Sequence, residues 1–206
     1  MAKFIVFEGI DGCGKTSQIL HTINFLKDFK PIFLSKEPST LKTGKLIKKL
    51  LKEQTDPKSN AELFTKLYRK DREEHNKLIK HQLNLGNIVI LDRYYYSSIA
   101  YQQAQGTDVK KILKQSKKFI APDLTIILDI PAKTAVQRLK ARGSKEEKFE
   151  KLKFLEELRE IYLKMPFYGE KFLDKGSSKK ENIKIIDGSR TPEKVFEEIK
   201  EELKKL

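Results

Sequence analysis

Eight consecutive residues near the start of the chain match the pattern G-x-x-x-x-G-K-T, whose chemistry suits phosphate groups: Gly9, Ile10, Asp11, Gly12, Cys13, Gly14, Lys15 and Thr16. A row of phosphates needs many backbone N–H donors in a tight curve, which side chains larger than that of glycine would obstruct. Lys15 supplies a positive charge for the β- and γ-phosphates, and Thr16 supplies a hydroxyl to Mg²⁺. A helix that begins here adds the positive end of its dipole. The run predicts a phosphate-binding loop with a site for Mg²⁺, and a chance glycine-rich turn is the alternative.

An aspartate and an arginine follow the apolar run at residues 88–91 and form a second group suited to chemistry. Asp92 could hold Mg²⁺ directly or through water, and Arg93 could clamp a phosphate of a second substrate. The alternative is a surface Asp–Arg pair that caps a strand. Because the phosphate loop also follows a predicted strand, we expect both groups at the same edge of a sheet.

A predicted helix after residue 59 carries Tyr68 and Arg72 four positions apart, so both lie on one face. An aromatic ring can stack on a nucleobase, and a guanidinium can donate to an exocyclic carbonyl. The pattern therefore predicts a base site, although an aromatic residue on an amphipathic helix is usually part of the core. His75 on the same face is predicted to be a structural or surface histidine.

The charged stretch at residues 138–150 contains Gly143 and separates two helical patterns. It predicts a lid that closes over the transferring phosphoryl group and brings Arg142, Lys145 or Lys148 to it. A solvated turn between two helices is the alternative.

These groups need a scaffold, and the apolar runs at 3–8, 31–37, 87–92, 124–130 and 182–186 predict five strands that alternate with helices. Such alternation indicates a parallel sheet, and strands without polar alternation indicate helices on both faces. Helix limits are predicted from a capping box of Ser59 and Glu62, from Gly86, and from Thr191-Pro192. Residues 174–181 are predicted to form a mobile surface loop.

Composition restricts the class of protein. A length of 206 residues suits one domain, and we expect 1–206 to be that domain. The sequence has no run of eighteen apolar residues and no predicted signal peptide, so we expect a soluble cytoplasmic protein without a membrane partner. The net charge of +14 comes from dispersed lysines, without the interleaved aromatic residues that bind single-stranded nucleic acid, so no nucleic-acid partner is predicted.

Cys13 is the single cysteine, which excludes an internal disulfide and any site built from several thiolates. Its place beside Lys15 at a helix N-terminus favours a reactive thiolate. The alternative is an inert packed thiol.

Together these segments resemble the thymidylate kinases over nearly the whole chain. The resemblance rests on five segments: 7–16, 37–38, 67–75, 92–94 with 97–102, and 149–162. It implies the three-layer fold of P-loop nucleotide-binding proteins, with a five-stranded parallel sheet, helices on both faces and a short lid. It also implies transfer of the γ-phosphoryl group of ATP to dTMP, giving dTDP, with Mg²⁺ and in a homodimer.

The resemblance implies residue roles as well. Lys15, Arg93 and Arg142 would be catalytic, and Thr16 and Asp92 would hold the metal. Seven residues would bind the acceptor dTMP. Tyr68 and Arg72 would hold thymine, with Ser98 near the base, and Asp11 would bind the deoxyribose 3′-hydroxyl, with Tyr101 beneath the sugar. Arg93 would clamp the phosphate, and Glu37 is the seventh residue of the set. The chain departs from the usual family pattern at Lys36, at 39–40, at Tyr68, where phenylalanine is commoner, and at Lys148. These departures bear on the rate of the reaction and on the range of acceptors that is used, and not on the class of reaction.

Other functions use the same loop. Within enzymes, a deoxynucleoside kinase or another nucleoside-monophosphate kinase is the alternative. Outside small-molecule kinases, the alternative is a nucleotide switch or an ATPase that has no acceptor. The sequence contains no Asn-Lys-x-Asp motif that would support a GTPase switch.

Overall fold

A five-stranded parallel sheet forms the centre of the computed structural model, which describes residues 1–53, 60–143, 152–173 and 180–206. The strands are β1 (Lys3–Glu8), β2 (Ile32–Lys36), β3 (Ile88–Asp92), β4 (Leu124–Asp129) and β5 (Ile183–Asp187). Their order across the sheet is β2-β3-β1-β4-β5. Each lies within one residue of its predicted bounds at either end, and the predicted parallel sheet is confirmed.

Nine α-helices are present in the described ranges: α1 (Lys15–Leu26), α2 (Lys42–Glu53), α3 (Ala61–Asn84), α4 (Tyr95–Ala104), α5 (Val109–Ser116), α6 (Ala132–Ala141), α7 (Leu152–Leu163), α8 (Met165–Tyr168) and α9 (Pro192–Leu203). A short π-helix (Gly169–Leu173) follows α8. Helices α1 and α9 pack on each other, while α3, α4, α7 and α8 form a second connected group. Strands β1, β3 and β4 are buried at almost every position, so helices must cover both faces of the sheet. The predicted three-layer α/β fold is therefore confirmed.

The topology brings the two predicted chemical groups together at the carboxyl edge of the sheet. Strand β1 pairs with β3, and the register places Phe7 opposite Asp92. The phosphate loop leaves β1 after Glu8, and Arg93 follows β3 directly. Because parallel strands end at the same edge, these two connections lie side by side.

Two of the predicted helix limits can be compared with the structure. Gly86 follows α3 with a φ of +83°, a conformation that glycine adopts without strain, and Pro192 begins α9. Ser59, Lys145 and Lys148 lie outside the described residues, as does most of the predicted loop at 174–181. In the ranges that the structure describes, no helix combines the length and the apolar character needed to cross a membrane.

Candidate active site

The phosphate loop connects β1 to α1 and packs closely against two neighbouring backbone segments. Gly9 has a φ of +129°, and a Cβ atom there would lie 2.6 Å from the carbonyl oxygen of Leu128. Gly12 has a φ of +83°, and its Cβ atom would lie 2.7 Å from the carbonyl oxygen of Ala135. Both positions therefore require glycine, and the alternative of a chance turn is not supported.

Lys15 begins α1 and is buried inside the curve of the loop. Its Nζ atom donates to the carbonyl oxygens of Gly9 at 3.1 Å and Ile10 at 3.2 Å. Thr16 is exposed in the first turn of the same helix. The loop thus carries an ammonium group and an exposed hydroxyl at a helix N-terminus, which is the chemistry that a polyphosphate with a bound divalent cation requires.

Cys13 is packed into the base of the loop and is 1% exposed. Burial raises the pKa of its thiol, although Lys15 and Arg93 act in the opposite direction. The environment disfavours the thiolate, so of the two alternatives the structure favours the inert packed thiol.

Arg93 directs its guanidinium across the carboxyl edge of the sheet. Its backbone has a φ of +72°, which is uncommon for a residue with a side chain and marks a constrained position. Nη2 donates to Asp11 Oδ1 at 2.6 Å, while Nη1 donates to Ser97 Oγ at 3.0 Å and to the Tyr162 hydroxyl at 3.2 Å. The alternative of a surface pair between Asp92 and Arg93 is therefore wrong, because Arg93 binds a carboxylate of the phosphate loop instead.

Asp11 links the phosphate loop to Arg93 and to Tyr101, whose hydroxyl donates to Asp11 Oδ2 at 3.1 Å. Burial alone would raise the pKa of Asp11, but the charges of Arg93 and Lys15 lower it to about 2. Asp11 is therefore ionised at neutral pH. The Tyr101 ring also packs against the Arg93 guanidinium, with 5.2 Å between the guanidinium carbon and the ring centroid.

A cavity of about 390 Å³ opens beside this cluster. All seven residues predicted to bind the acceptor line it: Asp11, Glu37, Tyr68, Arg72, Arg93, Ser98 and Tyr101. The structure therefore brings together groups from the phosphate loop, β2, α3, β3 and α4, which the sequence keeps far apart. This volume is within the range of small-molecule sites.

Arg72 enters the cavity wall from α3 and is almost fully buried. Its Nε donates to Glu37 Oε2 at 2.7 Å, and Nη2 donates to Ser98 Oγ at 2.9 Å and to the carbonyl oxygen of Tyr94 at 3.2 Å. His75 Nδ1 lies 3.2 Å from the second oxygen of Glu37. His75 is 1% exposed, so it is a structural histidine and not a surface one.

Tyr68 lies one helical turn before Arg72 and is only partly buried. Its ring lines the cavity, and burial raises the pKa of its hydroxyl. Core packing alone does not account for this position, because the ring borders open space that is large enough for a ligand. The helix spacing therefore predicted a shared face correctly.

Glu8 is a buried carboxylate that the sequence reasoning left without a role. It ends β1 directly before the loop and is 0% exposed. Its oxygens accept hydrogen bonds from Tyr94, Ser97 and Tyr162. Burial raises the pKa of Glu8, while Arg93 and these donors favour its charged form. The signal that could have drawn attention to it was an acidic residue at the end of an otherwise apolar buried strand.

A second cavity, of about 360 Å³, lies on the other side of the loop. Gly14 and Gln18 line it together with Arg138, Arg142 and Arg190. Arg142 is exposed directly after α6, where it lines this second cavity and not the first one. The contact of Arg142 with a phosphoryl group stays a prediction.

Asp92 fits the role of a metal-binding residue. Its Oδ1 atom is buried and has no hydrogen-bond partner among the described residues. An orphaned carboxylate oxygen of this kind is costly unless a further group satisfies it. Within the same ranges, no cluster of three acidic, histidine or cysteine side chains could hold a metal ion. A single carboxylate with one hydroxyl suits Mg²⁺, which is usually bound by one or two carboxylates, substrate phosphates and water.

Comparisons with known proteins agree with this geometry. The family model for thymidylate kinase matches residues 7–199. A probable thymidylate kinase from Pyrococcus horikoshii is 40% identical over 168 residues, which cover 79% of this chain and 82% of the relative. A probable thymidylate kinase from Archaeoglobus fulgidus is 37% identical over 98% of this chain and 93% of its own. A thymidylate kinase from Carboxydothermus hydrogenoformans is 34% identical, with coverage of 96% and 95%. With a match that spans the phosphate loop, the Asp92-Arg93 pair and both cavities, the chain belongs to the thymidylate kinase family.

Proposed function

We propose that this protein transfers the γ-phosphoryl group of ATP to dTMP, giving dTDP and ADP, with the residue roles described below. The observation that carries this proposal is the acceptor cavity, which is lined by all seven predicted residues and borders the phosphate loop at Asp11. Membership of the thymidylate kinase family supports the same reaction.

We assign the phosphates of ATP to the loop at residues 9–16 and the remainder of the nucleotide to the second cavity. That cavity borders Gly14 and is lined by three arginines, so it is positively charged and continuous with the loop. Arg138 is held in place there because Nη1 and Nη2 both donate to the carbonyl oxygen of Gly188 at 3.2 Å. Donor and acceptor would then approach the transfer site from opposite sides.

We assign the acceptor phosphate to Arg93 and the thymine ring to Tyr68 and Arg72. The Nε of Arg93 and one hydrogen of its Nη2 are not used by the contacts within the described residues. Nη1 of Arg72 is likewise unused, and it is the donor that would reach an exocyclic carbonyl. Glu37 acts on the base through Arg72, since it fixes the guanidinium at 2.7 Å.

This reaction requires alignment and charge neutralisation more than covalent work by the protein. Lys15 and Arg93 would offset the charge of the phosphates, and Arg142 would add to them when the lid closes. Asp11 orients Arg93 and would accept from the sugar hydroxyl. Mg²⁺, held by Thr16 and Asp92, would supply further neutralisation of the phosphate charge.

The decisive experiment compares acceptors. ADP formation is measured in a coupled assay with dTMP, dUMP, dCMP, dGMP and thymidine at equal concentrations. The proposal predicts the highest kcat/KM for dTMP and little ADP without an acceptor. Preference for thymidine would indicate a deoxynucleoside kinase, and release of ADP at the same rate without any acceptor would indicate an ATPase.

We also propose a homodimer, because the family resemblance implies it, and a cytoplasmic location, with which the single cysteine agrees. Three consecutive elements, β2, α2 and α3, each expose a leucine: Leu34, Leu46 and Leu63 are 44–48% exposed. Light scattering coupled to size-exclusion chromatography would separate a dimer from the monomer mass of 24.0 kDa.

A further inference from the structure

Glu8 lies beneath the Arg93 site and collects four hydrogen bonds. Oε1 accepts from the backbone N–H groups of Tyr94 at 2.7 Å and Ser97 at 3.1 Å. Oε2 accepts from the hydroxyls of Ser97 at 2.7 Å and Tyr162 at 3.0 Å. Among the described residues, Tyr94 provides no side-chain cap for α4. A carboxylate from β1 therefore caps the helix that follows Arg93, and it also binds two hydroxyls.

The same two hydroxyls are the groups that receive the Nη1 hydrogens of Arg93, at 3.0 Å for Ser97 and 3.2 Å for Tyr162. Each hydroxyl has one hydrogen to donate. When that hydrogen goes to Glu8, the lone pairs of the hydroxyl oxygen are left for Arg93. The two hydroxyl oxygens also lie 3.0 Å apart. In its charged form, which the neighbouring Arg93 favours, Glu8 has no hydrogen to donate, so its Oε2 atom takes both hydroxyl hydrogens. The direction of donation then runs from Arg93, through the hydroxyls, to Glu8.

This arrangement determines which hydrogens of Arg93 can reach a ligand. Nη1 uses both of its hydrogens on the hydroxyls, and Nη2 uses one on Asp11. A guanidinium held on these three acceptors cannot rotate without losing them. Its Nε–H and the second Nη2 hydrogen are then fixed in direction.

We propose that Glu8 is a positioning residue for the acceptor phosphate: by accepting both hydroxyl hydrogens, it makes Ser97 and Tyr162 acceptors and thereby orients Arg93. This inference rests on the proposed function, in which Arg93 binds the phosphate of dTMP. It extends that function to a carboxylate that lies beneath the cavity wall and does not line it.

The test is Glu8→Gln, which preserves the size of the side chain and one acceptor oxygen for the helix cap. The amide nitrogen that replaces Oε2 is a donor, so it cannot accept the hydrogens of the Ser97 and Tyr162 hydroxyls. Those hydrogens must point elsewhere, and one direction open to them faces Arg93, where they would oppose its Nη1 hydrogens. Binding of dTMP and of thymidine is measured by competition, because thymidine has the same base and sugar without the phosphate. We expect dTMP affinity to fall about 10- to 100-fold, as for the loss of a hydrogen bond to a charged group, and thymidine affinity to change less than about threefold.

Two further measurements separate positioning from simple loss of structure. The KM for ATP should change less than about twofold, although Glu8 directly precedes Gly9 of the phosphate loop. Tyr162→Phe should also lower dTMP affinity selectively, and in the Glu8→Gln background it should cost much less than in the unmodified protein, since the two residues act together. The Tyr162 variant keeps its ring in the core, so it tests the proposal even if Glu8→Gln does not fold.

Asp129→Asn provides a matched control. Asp129 ends the neighbouring strand β4, and it binds Arg159 at 2.7 and 2.8 Å, away from Arg93. The ratio of dTMP to thymidine affinity should not change in this variant. An equal loss of dTMP and thymidine binding in Glu8→Gln, or an unchanged affinity for both, would overturn the proposal. Failure of the proposed function would differ, because the unmodified protein would then not prefer dTMP to thymidine.

Discussion

Replacement of Arg72 by methionine should affect stability and catalysis through two separate contacts. The side chains of Arg72 and Glu37 are 3% and 2% exposed, so the change leaves a buried carboxylate whose remaining side-chain partner, within the ranges that the structure describes, is His75. Removing one partner of a buried ion pair costs about 3–5 kcal/mol in the free energy of unfolding. The carbonyl of thymine also loses its donor in a desolvated cavity, at about 1–3 kcal/mol. We therefore expect kcat/KM for dTMP to fall about 5- to 150-fold, with little change in the KM for ATP.

A double variant separates these two effects. Arg72→Met with Glu37→Gln removes the unpaired charge, so most of the lost unfolding free energy should return. The kcat/KM for dTMP should stay low, because the donor to the base is still absent. Glu37→Gln alone completes the double-mutant cycle, because it shows the effect of removing the carboxylate charge while Arg72 is still present.

The measurements are urea unfolding and steady-state kinetics with each substrate. Arg159→Met is the control, because it breaks a partly exposed ion pair with Asp129 that is outside the acceptor cavity. A pair of that kind contributes about 0–1 kcal/mol, and its loss should not favour one substrate over the other. Recovery of kcat/KM for dTMP together with stability in the double variant would refute the base assignment, since Arg72 would then act only through folding.

Three further predictions concern single positions. Tyr68→Phe should be mild, because stacking needs the ring, whereas Tyr68→Ala should lower kcat/KM for dTMP severely without a matching loss of unfolding free energy; equal losses for dTMP and ATP would instead indicate a core role. Arg142→Ala should lower kcat by about 100-fold or more with little change in ATP affinity, and a variant with normal kcat would transfer the lid role to another residue. Cys13 should react slowly with a maleimide at neutral pH in the presence and absence of Mg·ATP, and rapid labelling that Mg·ATP slows would contradict the packed thiol.

Patterns along the chain were sufficient to predict the sheet. Apolar runs at five places gave the strands, and glycine at position 86 gave the end of α3, because both depend on local burial and backbone conformation. The chemistry at the strand ends was also predictable, since parallel strands finish at one edge. Asp92 and Arg93 were located in this way.

Partners that are distant in sequence were not predictable. Asp92 and Arg93 are adjacent, yet Arg93 bonds to Asp11, 82 positions away, because its left-handed backbone directs the side chain toward the phosphate loop. Glu8 and Tyr162 are separated by 154 positions. Such contacts depend on how β1, α4 and α7 pack together, and no short-range periodicity carries that information.

The burial of Cys13 changes the protonation state that the sequence motif alone would favour for its thiol. The sequence places Cys13 next to a lysine and at a helix N-terminus, and both features favour a thiolate. The fold encloses the sulfur, and desolvation disfavours the charged form more than these neighbours favour it. Whether desolvation or the neighbouring positive charge has the larger effect on the thiol pKa depends on solvent exposure, which the motif alone does not determine.

Direct transfer of a phosphoryl group between two nucleotides is tested by product analysis with ATP labelled at the γ-phosphate. The protein is incubated with labelled ATP, Mg²⁺ and dTMP, and the nucleotides are separated. We expect the label to appear in dTDP in a one-to-one ratio with the ADP formed, and we expect Arg93→Ala nearly to abolish this product. Release of the label as inorganic phosphate at the same rate with and without dTMP would contradict it.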